Sequence, residues 1–119
     1  MSVEQLAEDY VGVWNETDPR RQATEVEKLW APDGTEYLSD SVYRGHAELR
    51  KRVAGAYRKF VAEGGFSFVR SSAVAHHHDT IALTIDMVPK GGGDAAWRGI
   101  VFIELDSNGK IKRDYQFTT

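Results

Sequence analysis

An α+β fold is what this sequence predicts, with helices in its first half and a meander of antiparallel strands in its second. Two observations carry that reading. Apolar residues recur at helical spacing in three segments ahead of Gly64. From Phe66 onward, β-branched and aromatic residues alternate with polar ones, broken by Asp79, by Gly91 to Gly93 and by Asn108-Gly109. Composition fits one domain over residues 1–119, since 41% hydrophobic and 28% charged residues are globular values and a chain of this length buries a core without disulfides.

Ser2 and Gln5 form a capping box ahead of the first helix, whose apolar stripe is Val3, Leu6, Ala7, Tyr10, Val11, Val13 and Trp14. Asn15 to Asp18 ends that helix. Asp18 caps a second, with Pro19 at its first position and Ala23, Val26, Leu29 and Trp30 on the buried side. Pro32 and the Asp33-Gly34 turn stop it, Thr35 to Ser39 reads as a short strand, and Asp40 to Gly45 reads as a loop. A third helix is expected over His46 to Glu63, with Leu49, Val53, Ala54, Tyr57, Phe60 and Val61 apolar and Gly64 as a left-handed cap.

In the strand Ile81 to Val88, Ile81, Leu83, Ile85 and Met87 share one face, and Ala82, Thr84, Asp86 and Val88 the other. Trp97 to Leu105 is apolar on both faces, and Asn108-Gly109 predicts a type I′ hairpin joining it antiparallel to Ile111 to Phe117. A sheet apolar on both faces needs two covers, and three helices supply one. The other is expected to be buried in a homodimer formed through the outer sheet face.

Several function classes are excluded by composition. There is no cysteine, hence no thiol nucleophile and no Cys-ligated zinc. Fifteen Lys plus Arg against 18 Asp plus Glu give a net charge of −3, with the basic residues scattered among acids, so nucleic acid is not an expected partner. Met1 to Asp9 lacks the pattern of an export signal, and no run approaches the roughly 18 apolar residues of a membrane span. A cytoplasmic protein without a membrane partner is the expectation. His76 and His78 would face the same way on a strand, but no third ligand sits at a recognisable spacing, so no metal is assigned. Gly91 to Gly93 lead into a strand rather than a helix, which reads as a hairpin loop and not a phosphate cradle.

Asp86 and Asp114 each interrupt a strand-like run on its less apolar face, the face expected to line a pocket. Two carboxylates in one apolar cavity cannot both ionise cheaply, so one pKa should rise and leave an acid beside a base. That pair suits proton abstraction next to a carbonyl, a cyclisation, or activation of water against an epoxide. Lys112 and Gln116 are expected on the same face as Asp114, and Trp30, Trp97, Tyr43 and Tyr57 are candidates for an aromatic wall.

The order of elements, together with Tyr10-x-x-x-Trp14-Asn15-Glu16, Leu29-Trp30-Ala31-Pro32-Asp33-Gly34, Gly45-His46-x-x-Leu49, His77-His78-Asp79 and Asp106-x-x-Gly109-x-Ile111-x-Arg113-Asp114-Tyr115, resembles the SnoaL-like, polyketide-cyclase-related branch of the nuclear transport factor 2-like superfamily. The resemblance covers essentially the whole chain. It implies a cone-shaped, cystatin-like, curved antiparallel sheet wrapped around a long helix, with two further N-terminal helices and a pocket at the open end.

The epoxide-hydrolase branch of the superfamily has a catalytic Asp in an Arg-Asp-Tyr segment, matching Asp114, and a second pocket Asp matching Asp86, two residues after an Arg that is Thr84 here. Its water-positioning Tyr corresponds to Tyr37. The base and oxyanion Asp of the steroid isomerases fall on Leu38 to Ser39 and on Val101, so that mechanism does not carry over. The resemblance thus implies a small-molecule-binding protein, with isomerase, cyclase or hydrolase chemistry on a small apolar metabolite. Asp114 would be the base, Asp86 the partner acid and Tyr37 the orienting group, with Tyr10, Trp14, Trp30, Tyr57, Phe102 and Gln116 contacting the ligand. No cofactor is implied. The alternative is a non-catalytic ligand-binding or dimeric interaction module that keeps the fold without the activity.

Overall fold

The first two helices begin at their caps in the computed structural model, which describes residues 2–119. Ser2 Oγ accepts the Gln5 N–H at 3.0 Å to open α1 (Val3–Asn15), while the Gln5 amide turns to Asp9 and leaves the capping box half closed. Asp18 opens α2 (Pro19–Leu29) by accepting the Arg20 N–H. α3 (Gly45–Ala56) continues as a π-helical stretch over Tyr57–Glu63. The left-handed residue after it is Gly65 (φ 75°), not the expected Gly64, which keeps right-handed geometry at φ −79°.

Seven strands follow or separate these helices: β1 (Trp30–Tyr37), β2 (Val42–Arg44), β3 (Phe66–Arg70), β4 (Ala75–His77), β5 (Thr80–Pro89), β6 (Trp97–Leu105) and β7 (Ile111–Thr118). They form one curved sheet in the order β2-β1-β7-β6-β5-β3, with β4 beside β5. The expected antiparallel sheet needs one correction, because β1 runs parallel to β7 and the sheet is mixed. A parallel pair needs a long crossover, and everything from β2 to β6 provides it.

β1 starts directly at Trp30, ahead of the expected Thr35, because Pro32-Asp33-Gly34 forms a bulge inside the strand instead of ending the helix. Trp30 pairs with Ile111 and Thr35 with Arg113, so Ala31 to Gly34 stand opposite Lys112 alone. Gly34 permits this, since a Cβ there would lie 2.8 Å from the Ile111 carbonyl oxygen and 3.0 Å from that of Ala31. The β6–β7 turn is also not the expected type I′. Only Gly109 is left-handed (φ 77°), and the Asp106 carboxylate accepts the Asn108 and Lys110 N–H groups, giving a type I turn closed by a glycine bulge.

The core lies between the helices and the concave face. Leu6, Tyr10, Val13 and Trp14 of α1, Val26 of α2 and Leu49 and Val53 of α3 pack on Ile81, Leu83 and Ile85 of β5 and on Val101 and Ile103 of β6. Asn15 ties α1 to the edge strand β3 by donating to the Phe68 carbonyl (2.7 Å) and accepting the Phe68 N–H (2.8 Å), which satisfies backbone groups an edge would leave free. On the convex face Tyr37 stacks on Tyr115 and Tyr115 on Phe117, with Phe102 beside them, and Ile100 and Phe117 are exposed. Among the described residues no helix is long and apolar enough to cross a membrane.

Two glycines make opposite predictions. Gly34→Ala should lower stability by about 1–3 kcal/mol, because backbone oxygens of two segments must yield to the methyl. Gly12→Ala, on α1 with nothing within 4 Å of the new methyl, should raise it by about 0.8 kcal/mol. Urea unfolding of both variants checks the pair.

Candidate functional site

The parallel register of β1 and β7 sets the site. Glu36 pairs with Asp114, so two carboxyl side chains rise side by side from adjacent strands on the concave face, both fully buried. Tyr10 from α1 donates its O–H to Asp114 Oδ2 at 2.8 Å, and Trp30 donates its indole N–H to Oδ1 at 2.8 Å. Gln116, one pleat repeat beyond Asp114, donates its amide to Tyr10 Oη (2.9 Å) and Glu36 Oε2 (3.4 Å). From α3, Arg52 donates through Nε to Glu36 Oε1 (2.8 Å) and through Nη2 to Gln116 Oε1 (3.3 Å). Its guanidinium lies over the rings of Trp14 and Tyr43, at 5.0 and 5.5 Å from their centroids.

Two adjacent carboxyls without water cannot both carry charge. Burial, and then the charge of Glu36, pushes Asp114 well above the usual carboxylate range, and a hydrogen bond shares its proton with Glu36. Burial and the neighbouring acids also push the Tyr10 phenol up, so it stays a donor. The cluster therefore holds one ion pair, Arg52 with Glu36, and one neutral acid, Asp114.

Beside the cluster lies a cavity of about 370 Å³. Trp14, Ala56 and Phe60 wall it from the helices, and Phe68, Ile85, Met87 and Val101 from the sheet. Exposed Ser39, Ala96 and Thr118 ring its outer part, and Arg52 and Gln116 are the polar groups of its inner wall. Asp114, Glu36, Tyr10 and Trp30 do not line it. They stand behind Arg52 and Gln116.

Of the expected ligand contacts, Trp14 and Gln116 reach the cavity wall, and Tyr10 and Trp30 support it from behind. Tyr57 is half-buried outside the wall. Asp86 is not a partner of Asp114. The alternation of β5 turns Ile85 and Met87 inward and Asp86 outward, where Arg98 grips it bidentately at 2.7 and 2.8 Å and Ser71 donates at 2.9 Å. Those bonds, that from Arg98 first, hold its carboxyl below the usual range. Tyr37 and Phe102 lie on the convex face, since their strand neighbours Glu36, Val101 and Ile103 take the concave one. Lys112 is exposed, and the cation beside the acids is Arg52.

Glu36 and Arg52 are the site residues that the sequence reading passed over. Each left a trace: Glu36 is an acid inside the expected first strand, and Arg52 sits three residues after Leu49 and four before Ala56, on the apolar stripe of α3. His76, His77 and His78 are exposed, and no group of three His, Cys, Asp or Glu side chains among the described residues is placed to hold a metal.

The shared proton makes stability depend on pH. Asp114 keeps its proton in the folded protein above the pH, about 3.9 for an ordinary aspartate, at which the unfolded chain releases it. Its contribution to stability is therefore complete below that value and lost as pH rises toward the folded pKa, at about 1.4 kcal/mol per pH unit inside the window. Asp114→Asn, which cannot ionise, should flatten the fall in Tm as the pH is raised from about 4 toward neutrality. Thermal melts of both proteins across that range measure it, and parallel profiles would contradict the assignment.

Comparison with known proteins gives the fold and the family of the chain. A SnoaL-like isomerase candidate from Agrobacterium tumefaciens superposes with a TM-score of 0.88 at 22% identity, covering 98% of this chain and 96% of that one. A ketosteroid isomerase-like fold from Catenulispora acidiphila, in complex with trimethylamine, gives 0.68 at 13% identity over 98% and 86% of the chains. A cystatin-like protein from Nostoc punctiforme gives 0.69 at 17% over 98% and 88%. At such identities the likeness is one of fold. No curated protein matches the sequence. The SnoaL-like domain matches residues 7–114, nearly the whole chain, with Tyr10, Trp30, Glu36, Arg52 and Asp114 of the cluster inside the match, and the protein belongs to the SnoaL-like domain family.

Proposed function

We propose that the protein binds one small, mostly apolar molecule in the cavity between α3 and the sheet, and that its carboxyls organise this site without touching the bound molecule. The observation that carries this reading is the position of the acids. A general base must come within about 3 Å of the proton it takes. Asp114 is fully buried, its oxygens are engaged by Tyr10 and Trp30, and neither it nor Glu36 lines the cavity. The lining is apolar apart from Arg52, Gln116 and the outer polar groups, the pattern of a ligand pocket. Titration with 2-methylnaphthalene, followed by NMR of the Met87 and Val101 methyl groups, tests it. Saturable shifts at both are expected, and unchanged spectra at the solubility limit of the probe would overturn the reading.

One observation favours a second, catalytic reading. A carboxyl with a strongly raised pKa beside a cleft marks many proton-transfer sites, and Asp114 lies one hydrogen-bonded layer behind Gln116. Proton transfer to a ligand would then require Gln116 to swing aside. Under the binding reading Asp114→Asn keeps the affinity for the probe within about twofold, whereas loss of turnover on a ligand that the native protein converts would establish the catalytic one.

The convex face carries a further proposal, a homodimer. Tyr37, Phe102, Tyr115 and Phe117 form a continuous aromatic strip there, flanked by exposed Ile100. Size-exclusion chromatography with light scattering should give twice the chain mass of 13.3 kDa, and Phe117→Lys should return it to one. A native mass of one chain would refute the dimer.

A further inference from the structure

The hydrogen-bonding capacity left over at the inner end of the cavity is one-sided. Arg52 carries five N–H groups, of which Nε donates to Glu36 and Nη2 to Gln116, while Nη1 has no acceptor among the described residues. Its side chain is 17% exposed and forms part of the wall. The indole N–H of Trp14, a residue of the same wall whose ring lies under the guanidinium, is buried without a partner among the described residues. A buried donor left without an acceptor is costly. The amide of Gln116 is already directed at Tyr10 and Glu36, and the indole N–H of Trp97 at Thr118. What remains free at the inner end of a hydrocarbon cavity is the charged fork of Arg52, with a buried indole N–H beside it.

Resting on the reading of this cavity as a small-molecule site, we propose that its ligand is a small monocarboxylate with an aromatic or branched aliphatic body, the carboxylate seated on the Nη groups of Arg52. Guanidinium and carboxylate match as two parallel N–H···O bonds, whereas a ketone or an alcohol offers a single acceptor and no charge. The Trp14 ring lies under that guanidinium, so its indole proton reports on the seat of the carboxylate. The cluster behind does not repel an anion: with Asp114 holding its proton, Arg52 faces one negative partner instead of two, so an incoming carboxylate meets a neutral assembly instead of a negative one. The apolar body then rests against Phe60, Phe68, Ile85 and Met87.

Three probes sharing one body separate the head group from the cavity: 2-naphthoate, 2-naphthamide and 2-methylnaphthalene, titrated by NMR into the native protein and into Arg52→Lys. Naphthoate should bind at least about tenfold more tightly than the amide and shift the Trp14 indole proton. In Arg52→Lys, which keeps the charge and loses the fork, the gap between acid and amide should narrow. If that variant fails to fold, the comparison of acid with amide in the native protein decides alone. Equal affinities for acid, amide and hydrocarbon would overturn the carboxylate assignment and leave the apolar site standing. If none of the three perturbs the cavity residues, the assignment falls together with the small-molecule reading.

Discussion

Glu36 and Asp114 occupy neighbouring positions on two parallel strands, deep enough that water cannot reach either, and only one of them can be charged there. The resulting hydrogen bond, with Asp114 as the neutral acid and Glu36 paired to Arg52, draws on every layer of the molecule. Tyr10 brings in α1, Trp30 the start of β1, Arg52 α3, and Gln116 the next inward position of β7. A half-satisfied polar network would be worse than an apolar core. The distances among these groups, 2.8 Å for three of the bonds, describe one that is well satisfied.

The cavity follows from that network. Arg52 is held at its Nε by Glu36 and across its face by Trp14 and Tyr43, so its remaining N–H groups have a fixed place in the wall instead of sampling solvent. Gln116 closes the gap between Arg52 and Tyr10 and separates the acids from the cavity. The polar cluster therefore serves as the floor on which an apolar chamber is built. A protein of the same family with an acid exposed on that floor would have different chemistry on the same scaffold, as is general for folds that host many functions.

The epoxide-hydrolase pattern suggested a pair of acids, and a pair is present, with one member exchanged. Asp114 keeps its place, and its partner is Glu36 from β1, not Asp86 from β5. The alternation of a strand explains the difference, since Ile85 and Met87 belong to the core and their neighbour must face outward. Asp86 then does structural work, clamping β5 to Arg98 of β6 on the convex side.

Local chemistry in the sequence determined the caps at Ser2 and Asp18, the extent of the third helix, and the inward set Ile81, Leu83, Ile85 and Met87, because each depends on spacing or on a residue's own preference. The motif order from Tyr10 to Tyr115 gave the α+β cone, which the family match and the solved folds support. Of the site, Asp114, Gln116 and Trp14 were legible, being a lone acid in a strand, its neighbour on the same face, and an aromatic on a helical stripe. Glu36 and Arg52 became site residues only through tertiary structure. The parallel pairing of β1 with β7 and the packing of α3 across them join residues 36, 52 and 114. Pairing of that kind is fixed by burial and closure of the whole chain, which no local window of sequence contains.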